Sequence, residues 1–146
     1  MTEGVSPGFS AQFRGIIELA HEEARQHGGA VDDEHILVGL LVEGGSDSAR
    51  LVVGRGLSLD DARARMSRTE EDIAPGAHVP FTNSAKQAVE RAQKEAARRW
   101  SPVSAEHMLL GLVDNHGTAA TMLEIEPDGD DLRAELMGLI DHPRGR

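Results

Sequence analysis

Glu34-His35-Ile36-Leu37-Val38-Gly39-Leu40 is answered 72 residues later by Glu106-His107-Met108-Leu109-Leu110-Gly111-Leu112. Both strings read Glu-His-apolar-Leu-apolar-Gly-Leu. The same offset sets Phe9 on Phe81, Glu18 on Glu90, Ala20 on Ala92, Glu23 on Glu95 and Ala24 on Ala96. One offset kept across two separated blocks marks a tandem duplication, and such a repeat constrains the fold more than any single element. The copies run near 9–68 and 81–141. Their connector, Thr69 to Pro80, carries Pro75, Gly76 and Pro80 and reads as a loop. Residues 1–8 read as a flexible start and 142–146 as a short tail.

Each copy reads as helical. Ile16, Leu19, Ala20 and Ala24 recur at three- and four-residue steps after Ser10, an N-cap residue type, and Gly28-Gly29 supplies the stop. In the second copy Thr82 caps, Ala85, Ala88, Val89, Ala92 and Ala96 form a narrower stripe, and Pro102 ends it. A second helix opens at Asp32 or Asp33 in one copy and at Ser104 in the other. Its apolar face is nearly continuous, so it is expected to be buried. Two more helices follow in each copy, Ser46–Val53 and Ser58–Arg68, then Thr118–Leu123 and roughly Asp130–Asp141. No segment alternates with period two. The predicted architecture is all-α: two four-helix units, eight helices in all, packed as one pseudo-twofold globule across an apolar seam.

Composition narrows the function. The 146 residues carry 25 acidic and 15 basic side chains, a formal charge of −10, and no cysteine. Disulfides, thiolate metal sites and a cysteine nucleophile are excluded, and a cytoplasmic location is expected. The start has neither the basic nor the apolar region of a signal peptide, and no apolar run is long enough for a membrane span. The charge argues against nucleic acid as a partner. Arg91, Lys94, Arg98 and Arg99 read as the solvated face of a helix.

Catalytic signatures are wanting. His21-Glu22-Glu23-Ala24-Arg25 has Arg25 where a zincin helix needs its second histidine. Glu34 and His35 are neighbours on a helix, about 100° apart, and cannot chelate one ion together; the same holds for Glu106 and His107. There is no Gly-x-Ser-x-Gly elbow and no Gly-Lys pair for a P-loop. No metal, cofactor or enzymatic activity is expected. What remains is a pair of equivalent features. Ser10 or Thr82 opens a long helix whose N-terminus attracts anions, Arg14 or Lys86 follows four residues later, and Glu34 or Glu106 offers a bidentate acceptor for a guanidinium. Spacing leaves two readings open: these residues cap helices and nothing more, or they form receptors for a zwitterionic group.

The doubled string, the Ala20-His21-Glu22-Glu23-Ala24 block and His78-Val79-Pro80-Phe81-Thr82 resemble the N-terminal Clp repeat domain of the Clp ATP-dependent unfoldases, in particular the ClpC type. The resemblance covers about 9–141. It implies a non-catalytic module that binds protein substrates and adaptors of a Clp ATPase. In ClpC-type relatives it further implies recognition of phosphoarginine-tagged proteins, with Glu34 and Glu106 on the guanidinium and Ser10 and Thr82 on the phosphate. Actinobacterial relatives bind cyclic-peptide antibiotics, and Arg14, His78, Phe81 and Lys86 match that surface. Asp32-Asp33 and Ser104-Ala105 stand where the family has Gly-Thr, and Gln12 and Ser84 where its opening has arginine. The acids at 32 and 33 load the first copy's site with negative charge, so phosphoarginine is expected at the second. The chain ends where the ATPase modules of such relatives begin, so it reads as an excised domain or a free-standing Clp-repeat protein. The free-standing form would serve as an adaptor or as a decoy that sequesters ligands. A pure docking module without a ligand pocket is the competing class.

Overall fold

The computed structural model describes residues 8–27, 30–66, 81–115, 117–123 and 131–141. Among them the chain forms eight helices and no strand: α1 (Ala11–His27), α2 (Asp33–Glu43), α3 (Asp47–Gly54), α4 (Leu59–Arg65), α5 (Asn83–Arg98), α6 (Ala105–Asn115), α7 (Thr118–Met122) and α8 (Asp131–Asp141). The two sets of four follow the 72-residue offset, as the sequence predicts. The connector at 69–80 lies outside the described residues.

Within each repeat the first helix packs on the second, α1 on α2 and α5 on α6. On α1, Phe13, Ile16, Ala20 and Ala24 are buried, while Leu19 is only half-buried. On α5 the buried stripe is all alanine, at 85, 88, 92 and 96. Small side chains let the second helix come close, and the glycine of the repeated string marks the crossing. A Cβ on Gly39 would stand 2.6 Å from the Ile16 carbonyl oxygen, and one on Gly111 would stand 2.4 Å from that of Ala88. Ile16 and Ala88 are themselves related by the offset. Both contacts are below van der Waals separation, so neither site admits a side chain without moving backbone.

The histidine of the string closes the start of its helix. His35 Nδ1 accepts the Asp32 backbone N–H at 2.9 Å, and His107 Nδ1 accepts that of Ser104 at 3.1 Å. A helix leaves its first N–H groups without intrahelical partners, and a side chain reaching back from the third position settles the N-terminal turn.

One helix end differs from expectation, and another settles a choice that the sequence left open. α4 stops at Arg65 instead of Arg68, because Met66 turns into extended backbone (φ −63°, ψ 138°) and buries its side chain. α2 begins at Asp33, with Asp32 in the capping position.

The repeats are laced together at their lead-ins. The Ser10 N–H donates to the Val103 carbonyl at 3.0 Å, and the Val103 N–H to that of Gly8 at 2.8 Å. In the counterpart, the Thr82 N–H donates to the Val31 carbonyl at 2.9 Å. Each first helix is thereby pinned to the entry of the other repeat's second helix. One apolar cluster runs from Phe13 through Leu37 and Leu109 to Leu136, so the seam is continuous core.

Candidate functional site

Ser10 and Thr82 both cap. Ser10 Oγ accepts the Phe13 N–H at 3.0 Å and Thr82 Oγ1 that of Ala85 at 3.1 Å. Their surroundings, however, are exchanged. The sequence reading grouped each set of residues within one copy, but the crossed lead-ins set each cap against the entry of the other copy's second helix. The Thr82 hydroxyl donates to Asp32 Oδ1 at 2.8 Å. The negative charge at 32 and 33 therefore falls beside the second copy's cap, and Ser10 faces the Val103-Ser104 lead-in, which carries none.

Asp33 reinforces this asymmetry. It is fully buried, and its Oδ2 accepts the Ala119 N–H at 3.4 Å, at the start of α7. Gly117 makes the room: a Cβ there would lie 2.2 Å from Oδ2. The offset puts Ala105 in the place of Asp33, so in the second copy the crossing carboxylate comes from the next residue. Glu106 Oε2 accepts the Ser48 N–H at 3.1 Å, at the start of α3. Glu106 is half-buried, whereas Glu34 is 1% exposed and faces the interior. The two glutamates that the sequence treats as equivalent thus differ in access.

Arg14 and Phe81 come together across a groove of about 350 Å³ between α1 and α5. Phe9, Phe13, Ile17 and Val89 complete its apolar walls, and Glu18 is its one acid. The Phe9 and Phe13 rings lie 5.0 Å apart, and the His21 ring lies 5.1 Å from that of Phe81, tilted by 52° to it. Lys86 is exposed on α5, and His78 lies outside the described residues. The sequence reading missed Phe9, Phe13 and Ile17 as walls of this groove; two aromatics four apart at a helix start were the available signal.

Most of the cations are occupied. Arg25, Arg50, Arg55, Arg63, Arg98, Arg99 and Arg133 pair with carboxylates, and Arg65 donates to the Met122 carbonyl at 2.8 Å. Arg14, Lys86, Arg91 and Lys94 make no such contact among the described residues. All four lie on α1 or α5.

His107 has its pKa lowered from the usual histidine value, first by burial and then by the nearby Arg99 charge. Arg99 is held further into its charged form, chiefly by its hydrogen bond to Asp141. Among the described residues no three metal-ligating side chains converge, and no helix is long and apolar enough to cross a membrane.

Two helical repeats, joined at crossed lead-ins and sharing one core, define a duplicated all-helical domain. The chain belongs to the Clp repeat N-terminal domain family, whose model matches residues 8–125 and 80–144. The chloroplastic chaperone ClpC3 of Oryza sativa subsp. japonica is 35% identical over 130 residues, covering 85% of this chain and 14% of that protein. The chloroplastic ClpC of Pisum sativum is 35% identical over 134 residues, with 86% and 14% covered. The chain thus spans 14% of the length of these relatives. The crystal structure of the N-terminal domain of ClpD from Arabidopsis thaliana superposes with a TM-score of 0.71 at 21% identity, covering 97% of this chain and 99% of that one. At that identity the likeness shows the fold.

Proposed function

We propose that residues 9–141 form a non-catalytic binding module that presents protein substrates or adaptors to a Clp ATPase, with repeats at 9–68 and 81–141. The observation that carries the reading is Arg14: a guanidinium without a carboxylate partner among the described residues, on a strongly acidic chain, lining an apolar groove one turn after the Ser10 cap. A side chain that the fold does not use, held where both apolar and anionic groups can bind, supports ligand recognition. Lys86, its counterpart by the 72-residue offset, is exposed on α5 and has no carboxylate partner among the described residues. The relatives are named as chloroplastic chaperones, and a cytoplasmic location for this chain remains part of the proposal.

The finer reading is phosphoarginine recognition on the Ser10 side. Ser10 faces a lead-in without acids, and Glu106 is the accessible glutamate. The Thr82 side is already loaded with Asp32 and Asp33, which repel a phosphate. Cyclic peptides are the ligand class that the apolar α1/α5 groove would take.

Calorimetric titration of phosphoarginine, with free arginine as control, tests this. Saturable heat is expected from the wild type and from Glu34→Ala, with loss in Arg14→Gln and in Glu106→Ala. Arg14→Gln breaks no ion pair among the described residues, and a thermal melt like that of the wild type would separate its loss of heat from misfolding. No heat from the wild type would remove phosphoarginine and leave a protein-docking module. Addition of the chain to a Clp degradation assay then separates roles: an adaptor accelerates turnover of a tagged substrate, a decoy slows it.

A further inference from the structure

A second groove, of about 490 Å³, lies between the Gly8-Phe9 lead-in, the C-terminal half of α5 and the turn at 101–103. Phe9, Gln93, Lys94, Ala97 and Ser101 line it, and Glu90 is its one acid. The first repeat supplies an internal control. There the offset positions of Phe9 and Gln93 are Phe81 and His21, whose rings lie against each other at 5.1 Å. In the second repeat Gln93 replaces that ring and Phe9 turns to Phe13, which leaves the space open.

The charges differ between repeats in the same place. Leu19, Glu22 and Gln26 of α1 become Arg91, Lys94 and Arg98 on α5. At 100° per residue these three fall within an arc of about 60°. Arg98 pairs with Glu95 at 3.1 Å, and Glu95 also holds Arg99, which is tied to Asp141. Arg91 and Lys94 have no partner among the described residues.

Trp100 completes the difference. It is 66% exposed and has φ +50°, a left-handed backbone that large side chains rarely adopt. Its offset partner is Gly28, the residue type suited to that conformation. The second repeat therefore departs from the first by opening a groove with Lys94 in its wall, placing Arg91 one helical turn away on the same face and displaying an indole one residue before Ser101 of the lining.

We propose that this face of α5 docks an acidic polypeptide segment carrying an apolar side chain. Its carboxylates meet Arg91 and Lys94, and its apolar group enters the groove beside Phe9 and Trp100. Charge complementarity selects the partner: on a chain of net charge −10, a cluster of unpaired cations is the local exception that an acidic segment can use. Apolar walls and Glu90 favour such a segment over a nucleic acid, whose backbone is charged at every unit. The inference stands independently of what fills the α1/α5 groove.

Trp100 is the sole tryptophan and reports on its own surface. The probe is the peptide Glu-Asp-Leu-Leu-Asp-Glu, blocked at both ends, titrated while Trp100 emission is followed. A saturable blue shift with protection from acrylamide quenching is expected. The double variant Arg91→Glu with Lys94→Glu, shown by circular dichroism to melt like the wild type, should weaken binding at least about tenfold. A peptide with serines in place of both leucines should bind at least about tenfold more weakly. Trp100→Gly, followed by anisotropy of a labelled peptide, should also weaken it. No saturable change up to about 1 mM peptide overturns the proposal. Equal affinity in the charge-reversed variant overturns it too. Tighter binding of an oligothymidine than of the peptide would make the surface a nucleic-acid site instead.

Discussion

The two repeats keep different things. Both preserve the glycine at the helix crossing, the histidine that closes the second helix and a hydroxyl cap on the first. They diverge at the entry of the second helix. There Asp32-Asp33 answers Ser104-Ala105, and the difference propagates across the molecule. Asp33 supplies the start of α7, whose capping residue Gly117 has no side chain to offer. α3 has both its own cap, Ser46 Oγ on the Ala49 N–H at 3.0 Å, and Glu106 from the other repeat. The glycine and the histidine are held in common where they meet partners within their own repeat. Asp32, Asp33 and Glu106 reach into the other repeat, where the two copies need not match.

The sharpest way to break this comparison is to add a methyl group at each crossing. Gly39→Ala and Gly111→Ala should each destabilise the fold by about 3 kcal/mol, since the intruding Cβ meets backbone and no flexible side chain can yield. Urea unfolding of the two variants checks it. Similar losses would support equivalent crossings. A tolerated alanine at one site alone would show that the repeats pack differently despite the common string.

The caps come next. Ser10→Ala should cost about 1 kcal/mol, the usual worth of a capping hydroxyl. Thr82→Ala should cost about 2 kcal/mol, because it also removes the charge-assisted bond to Asp32. Thermal melts in one buffer compare them directly. Equal losses would mean that the Asp32 contact contributes nothing net.

The fold was legible because duplication writes each packing constraint twice. Eight helices, their order and most of their caps follow from Glu34–Leu40 and its echo. Glycine at 39 and 111 was visible as a letter, but its role was not, since a close approach belongs to two helices and the string describes one. The site was less legible for a related reason. Ser10 and Glu34 belong to one copy, and sequence proximity favours pairing them. The crossed lead-ins, hydrogen-bonded from Ser10 to Val103 and from Thr82 to Val31, set each cap against the other copy instead. Exchange between repeats leaves no periodic trace, because either pairing gives the same pattern in each copy. Trp100 was likewise unreadable: its exposure and its backbone are set by how α5 ends.

His107 sharpens the comparison through pH. Its lowered pKa means that the folded protein prefers the neutral ring, whose Nδ1 accepts the Ser104 N–H. The unfolded chain then binds more protons in the window below the ordinary histidine pKa of about 6.5. This contribution to stability is complete above that pKa and is lost as pH falls from it towards the lowered folded value. His107→Gln should flatten the stability profile over that window. An unchanged slope would assign the acid sensitivity to other groups.

The smallest expected effect is a gain. Trp100→Gly gives the second repeat the residue type that the first has at Gly28, and relieves a left-handed tryptophan whose ring is mostly in solvent. Relief of that backbone conformation is worth about 1–2 kcal/mol, and the extra chain entropy of glycine takes back about 0.5–1 kcal/mol. A net rise of about 0.5 kcal/mol is therefore expected in urea unfolding monitored by circular dichroism. Stabilisation together with weakened peptide docking would show that the tryptophan is kept for its surface. A loss of stability would show instead that the indole supports the turn after α5, and the contrast with the first repeat would then be one of packing.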